Sequence, residues 1–190
     1  MKRNLVTAIL FTLVTTIMFG LIYPLAITGI SQVLFHDRAN GQLIRKNGKL
    51  VGSKIIGQSF SGSGYFHSRP SNAGTGYDAT ASGGSNLGPT NKNLLERVNG
   101  DVQKLNAENP NAPIPVDLVT SSGSGLDPDI SPDAAEFQVP RVARARNLKQ
   151  DDLRVVVQRH TKGRDLGFLG EPRVNVLELN LELDGLPSGR

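Results

Sequence analysis

The residues of this chain that could do chemistry are a serine between glycines, three histidines, a run of aspartates and one glycine-rich turn. Ser124 lies in Gly123-Ser124-Gly125, and His36, His67 and His160 are the bases available to activate a hydroxyl. A hydrolase elbow needs Gly-x-Ser-x-Gly between a strand and a helix. The sequence here reads Ser-Gly-Ser-Gly-Leu, so the spacing is wrong. Asp127, Asp129 and Asp133 could line a site for a hard cation, which favours clustered carboxylates. The glycine and terminal glutamate of a calcium loop are missing, and turn and cap chemistry accounts for all three aspartates. Ser82-Gly83-Gly84-Ser85-Asn86 could offer backbone N–H groups to a phosphate, but it lacks the lysine of a P-loop and opens no clear helix. Cysteine is absent, which excludes disulfides, zinc–cysteine sites, iron–sulfur clusters and a catalytic thiol.

The charges are as unevenly placed as the chemistry. Of 190 residues, 38% are hydrophobic and 20% charged, with a mean hydropathy of -0.21. Those averages conceal two unlike parts, because Asn4–Phe35 carries no formal charge. Leu5–Ala26 alone would reach about 33 Å as a helix, against a hydrocarbon core of roughly 30 Å. A cleaved signal peptide would have a shorter apolar core and a small-x-small cleavage site. Residues 1–35 therefore read as a retained single transmembrane helix. Lys2 and Arg3 predict its N-terminus inside, with residues 36–190 forming one extracytoplasmic α+β domain. Ala8, Thr12, Thr16 and Gly20 recur every four residues, a stripe of small side chains that lets a partner helix approach closely in the membrane. Pro24 predicts a kink or an early end to the regular helix.

The outer part must supply the scaffold for any site. Gln42-Leu43-Ile44 and Leu50-Val51 flank Asn47-Gly48, a hairpin signal, and Ile55-Ile56 could extend the second strand. Ser59–Thr90 is rich in Gly, Ser, Asn, Thr and Pro, yet Tyr65, Phe66 and Tyr77 give it rings to bury, which favours an ordered loop. Leu94, Leu95, Val98, Val102 and Leu105 predict a helix capped at Thr90 and stopped at Asn109-Pro110. Ser131-Pro132-Asp133 opens another, and Pro140 should break that helix or start a further one. Leu153, Val156, Val157 and His160 predict a third, ended by Gly163. Val174–Leu183 fits either state, and its alternating leucines lean towards a strand. Nine bases against four acids in Arg141–Arg173 make that stretch basic, but it lacks interleaved aromatics, so a solvated face or a partner contact is expected and not nucleic acid.

Taken together, several blocks resemble the C subunit of the bacterial Kdp potassium-transporting P-type ATPase. They begin with Tyr23-Pro24-Leu25 and Val51-Gly52-Ser53 followed by Ile55-Ile56-Gly57-Gln58. Tyr65-Phe66-His67-Ser68-Arg69-Pro70-Ser71 and Ala81-Ser82-Gly83-Gly84-Ser85-Asn86 come next. Thr120-Ser121-Ser122-Gly123-Ser124-Gly125-Leu126-Asp127-Pro128 is similar to the family's most recognisable block. Ile130-Ser131-Pro132, Gln138-Val139-Pro140-Arg141-Val142-Ala143 and Gly170-Glu171-Pro172-Arg173-Val174-Asn175-Val176-Leu177 complete the order. Asp129 stands where many members are expected to carry histidine, so no metal-ligand role is carried over to it.

The resemblance implies an accessory subunit in the bacterial inner membrane, beside a channel-like potassium-selecting subunit, a P-type ATPase subunit and a small single-span subunit. ATP and potassium would be handled by that complex, with no cofactor or metal held here. The family has been described as aiding assembly and as a catalytic chaperone raising the ATP affinity of the ATPase subunit. An outward-facing turn at Ser82–Asn86 cannot touch cytosolic ATP, so such an effect would have to be transmitted through the complex. The competing readings are a membrane-anchored extracytoplasmic hydrolase using Ser124 or the aspartates, and a free-standing exported binding protein.

Overall fold

Long apolar side chains with no charge to hydrate favour a helix whose backbone satisfies itself. The computed structural model, which describes residues 1–186, shows one from Lys2 to Leu34, 33 residues with a mean hydropathy of 2.4 in its most apolar stretch. It is long and apolar enough to cross a membrane, and its large apolar side chains are exposed. Pro24 does not end it. The regular helix α1 (Lys2–Ile17) gives way to one π turn at Met18–Ile22, and α2 (Tyr23–Leu34) then carries Pro24 in its first turn. Tyr23 N–H reaches back to the Met18 carbonyl, widening the turn just where the proline ring would crowd the preceding one. A short α3 (His36–Ala39) follows, closed by the paired amides of Gln32 and Asn40.

Contacts divide the chain into a first unit, Met1–Leu43, and a second beginning at Ile44. The hairpin β1 (Leu43–Lys46) and β2 (Lys49–Ser53) turns at Asn47 and Gly48, both at positive φ, as its sequence requires. Ile55-Ile56 does not lengthen β2. Ser53 Oγ accepts from Ile55 N–H, and the chain folds back so that Ile56 bridges Ser53.

The helix α4 (Lys92–Glu108) is capped by Asn91, not Thr90, through a 2.9 Å bond from Asn93 N–H, and it stops at Asn109. Ser131 caps α5 (Pro132–Arg146) as its sequence predicts, accepting from Ala134 N–H at 3.0 Å. This helix runs straight through Pro140. The ring removes one donor, but buried Phe137, Gln138, Val139, Val142 and Ala143 hold both halves in the core. Burial of that many apolar groups, at about 25 cal/mol per Å2, outweighs the roughly 3 kcal/mol a mid-helix proline costs.

After α6 (Gln150–His160), three short strands form an antiparallel sheet in the order β3-β5-β4: β3 (Asp129–Ile130), β5 (Arg173–Asn175) and β4 (Thr161–Lys162). The expected strand at 174–183 is corrected here. Only its first residues are strand, and Val176–Leu183 is the helix α7. Asn175 caps it, accepting from Glu178 N–H at 3.0 Å, and Val176, Leu179, Asn180 and Leu183 form one buried face. Asn-x-x-Glu before leucines is an N-terminal signature, and it outweighs the coincidental alternation. With α5 and α6 packed on this sheet, the described part of the second unit is α+β.

Candidate functional site

The segment from Gly57 to Thr90 has almost no regular structure, so its backbone polar groups must find other partners. Two buried amide side chains supply them. Asn180 Oδ1 accepts from Phe66 N–H and its Nδ2 donates to the Phe66 carbonyl, both at 2.9 Å. Gln138 treats His67 in the same way, accepting at 2.7 Å and donating at 3.1 Å. Two helices thus pair with an extended chain as an edge strand would. Arg141 reinforces the contact from the Gln138 side, donating to the Ser63 and Tyr65 carbonyls while its Nε pairs with Glu108 at 2.8 Å. Arg146 covers the Tyr65 ring and pairs with Asp184, which also accepts from the Tyr65 hydroxyl.

Further along, the loop meets the glycine-serine block. Arg69 bonds the Asp127 carboxylate at 3.0 Å and the Thr120 carbonyl, while Tyr77 donates its hydroxyl to the Arg69 carbonyl. Pro70 is half-buried beside them. Ser71 Oγ donates to the Gly125 carbonyl at 2.6 Å and accepts from Ala73 and Tyr77 N–H. Ser82 Oγ and Gly83 N–H both donate to the Ser124 carbonyl. Gly84 lies so close to Gly123 that a Cβ would stand 3.2 Å from the Gly123 carbonyl oxygen. Ser85 Oγ accepts from Leu87 N–H, and Asn86 turns the chain at positive φ. The Ser82–Asn86 and Ser122–Asp127 blocks are therefore two halves of one stitched junction.

Asp127 Oδ1 accepts from Asp129 N–H, linking the junction to the sheet. Asp129 accepts from Asn175 Nδ2 at 3.0 Å and faces Arg173 at 3.5 Å. Asn175 Nδ2 also reaches the Lys54 carbonyl, so one side chain joins β3, the β2 exit and the start of α7. Burial raises the Asp129 carboxyl, and the nearby Asp127 adds to it, against the opposing pull of Asn175 and the bases. Glu178 moves the other way: burial would raise it, but Lys54 and Lys162 together outweigh that.

These arrangements limit the chemistry. Ser124 Oγ accepts from Leu126 N–H and lies 3.4 Å from Ser122 Oγ, whereas His67 bonds the Gly62 carbonyl and His160 pairs with Glu182. Among the described residues, no histidine bonds the serine hydroxyl. Among the described residues, no three His, Cys, Asp or Glu side chains come together to hold a metal. Asp133 lies in an open cleft with Asp127 and Asp129, but the latter two are engaged by Arg69, Asn175 and Arg173. The Ser82–Asn86 turn spends the Gly83 N–H on the protein itself, and α4 does not begin until Lys92. Arg69, Ser71, Ser82, Gly83, Ser124, Asp127, Arg141, Arg173 and Asn175 are thus bonded within the scaffold itself. Gln138, Asn180, Arg146 and Asp184 matter as much to it. Of these, only Asn180 carried a missed signal, as an amide among leucines at a position the helical period buries.

A pH dependence follows from the clamp. Burial, and then the Arg141 charge, hold the His67 imidazole below its ordinary 6.5. The native chain therefore refuses a proton that the unfolded chain accepts. Stability is full above about pH 6.5, falls as pH drops towards the native value, and flattens below it. The slope cannot exceed about 1.4 kcal/mol per pH unit for one proton. Between pH 8 and 5 the denaturation midpoint of the wild type should fall, while that of His67→Gln should be the flatter.

Comparison with known proteins adds the family. A family profile described as "KdpC: K+-transporting ATPase, c chain" matches residues 5–185. A potassium-transporting ATPase KdpC subunit of Koribacter versatilis is 62% identical over 185 residues, covering 97% of this chain and 96% of the relative. Subunits of the same name from Bradyrhizobium diazoefficiens and Acidobacterium capsulatum are each 55% identical, covering 97% and 96% of this chain and 98% of each relative.

Proposed function

The chain belongs to the family of the C chain of K+-transporting ATPases, and on that premise we propose that it is a single-span accessory subunit that stabilises the assembled transporter. Its partners are the channel-like potassium-selecting subunit, the P-type ATPase subunit and the small single-span subunit. The observation that supports this reading is how the motif residues are spent. Arg69, Asp127, Gly125, Arg141 and Asn175 bond to other parts of the same domain, which suits a rigid scaffold better than a reaction centre. Catalysis belongs to another subunit.

The Lys2-Leu34 helix crosses the inner membrane once, with Lys2 and Arg3 held inside and the second unit outside the cytoplasm. Ala8, Thr12, Thr16 and Gly20 pack against a partner helix. Thr7 and Thr15 bond back to their own backbone, whereas Thr12 and Thr16 make no such bond, and a Cβ on Gly20 would lie 3.9 Å from Thr16 Cγ2 on the same face. With the glycine turn outside and its Gly83 donor already used, any effect on ATP affinity passes through the complex and not through contact with nucleotide.

Orientation is tested by the absence of native cysteine. A lone Gln103→Cys on the exposed face of α4 should react with a membrane-impermeant thiol reagent in intact spheroplasts. Labelling that appears only after lysis would place the domain in the cytoplasm and reopen nucleotide contact. In the same strain, Thr16→Leu with Gly20→Leu should preserve insertion but lower complex yield in mild detergent, while Phe11→Leu should leave it unchanged.

A further inference from the structure

The connection between β4 and β5 is built to display apolar side chains. Lys162 pairs with Arg173 at its base, and Asp165 exchanges two 2.9 Å backbone bonds with Leu169 farther out. Leu166 and Gly167, both at positive φ, form the tight turn between them. Leu166 is 83% exposed, Phe168 69% and Leu169 50%. A leucine in the left-handed region is strained, and glycine or asparagine would hold the same turn more easily. The chain instead carries a large apolar side chain, in a strained backbone, at the exposed turn of a braced finger. Fold stability gains nothing from that choice.

The charges around the finger indicate what it meets. Arg164 pairs with Glu171 at 2.6 Å, Arg173 with Asp165 at 3.2 Å and Asp129 at 3.5 Å, and Lys162 with Glu178 at 3.3 Å. The bases beside the apolar tip are thus neutralised within the domain. A finger meant for an anionic lipid surface keeps its bases free for headgroups. An apolar knob on a neutral collar suits an apolar socket in another protein, where desolvated large side chains carry most of the binding.

We propose that the Gly163–Pro172 finger is a docking element whose Leu166, Phe168 and Leu169 side chains enter an apolar pocket on another subunit of the K+-transporting ATPase. The proposal rests on the reading of this chain as a subunit of that assembly.

Leu166→Gly is the informative variant because it removes the side chain and relieves the strain together. The melting temperature of the isolated full-length subunit in detergent should be unchanged or higher. The whole complex is then purified through a tag on the ATPase subunit. Leu166→Gly combined with Phe168→Ser should shed this chain at least about tenfold faster than wild type, as expected on losing two buried apolar anchors. A benzophenone amino acid at position 168 should cross-link to another subunit of the complex. Unchanged retention, or a cross-link to lipid, to a second copy of this chain or to nothing, overturns the docking proposal while leaving the subunit reading intact. A wild-type chain that is not retained at all overturns the subunit reading itself.

Discussion

Replacing Asn180 by leucine should destabilise the protein by about 2–6 kcal/mol, although the new side chain is close to the old one in size and fully compatible with a helix. Asn180 is 1% exposed and holds both backbone groups of Phe66, itself 0% exposed. Leucine would leave a buried N–H and a buried carbonyl without partners, and each such group costs about 1–3 kcal/mol. A loss of that size is a large part of the 5–15 kcal/mol that holds a typical domain together, so poor expression or a truncated yield is the expected symptom. The control is Asn106→Leu on the exposed side of α4, where a change within about 0.5 kcal/mol is expected. Urea denaturation of the two full-length variants in the same detergent makes the comparison. Equal midpoints would mean that Phe66 is satisfied by water and that the clamp is not structural.

That clamp also shows what could be read without coordinates. Elements declared by local chemistry were legible: the Asn47-Gly48 turn, the Ser131-Pro132 start of α5, the uncharged run of the first helix and the stripe of α6. Errors fell where tertiary contacts override a local rule. Pro140 is a helix breaker by itself, but residues on both sides of it are buried, and the core imposes helix on the pair. The alternating leucines of α7 imitate a strand, and only the Asn175–Glu178 cap and the burial of Asn180 separate the two readings. Asn91 takes the cap from Thr90 by one position, which propensity alone cannot resolve.

The motif blocks present a different difficulty. Their order identified the family, whereas their roles depend on partners more than forty residues away, such as Asn180 for Phe66 and Ser124 for Ser82. No period or spacing rule contains that information. A glycine-serine block looks like a site because glycines let backbone approach a ligand, but the same freedom lets backbone approach backbone. Gly84, against the Gly123 backbone, and Gly125, against the Gly83 and Ala73 backbone, use it in the second way.

Gly125→Ala separates those two uses. Gly125 sits at φ +67, and an added Cβ would lie 2.6 Å from the Gly83 carbonyl oxygen and 2.7 Å from the Ala73 nitrogen. Both neighbours are backbone, so neither can swing aside. The left-handed conformation costs an alanine about 1 kcal/mol and the overlap a further 1–3 kcal/mol, giving roughly 2–4 kcal/mol in all. Gly123, two residues earlier, has nothing within 4 Å of the same added atom, and Gly123→Ala should change stability by about 0.5 kcal/mol or less. Ser124→Ala, between them, removes one acceptor for Leu126 N–H and should cost about 0.5–1.5 kcal/mol. For a scaffold, complex yield should fall in Gly125→Ala alone, and potassium-stimulated ATP hydrolysis per assembled complex should stay constant across all three variants. A site for chemistry predicts the reverse pattern, with Ser124→Ala fully assembled and inactive. Because the three positions are adjacent, the ranking depends on local geometry and not on distance from a partner. A junction between loops must be most sensitive where backbone meets backbone, at Gly125, less so at the Ser124 hydroxyl with its single accepted bond, and least at Gly123, where an added Cβ meets nothing.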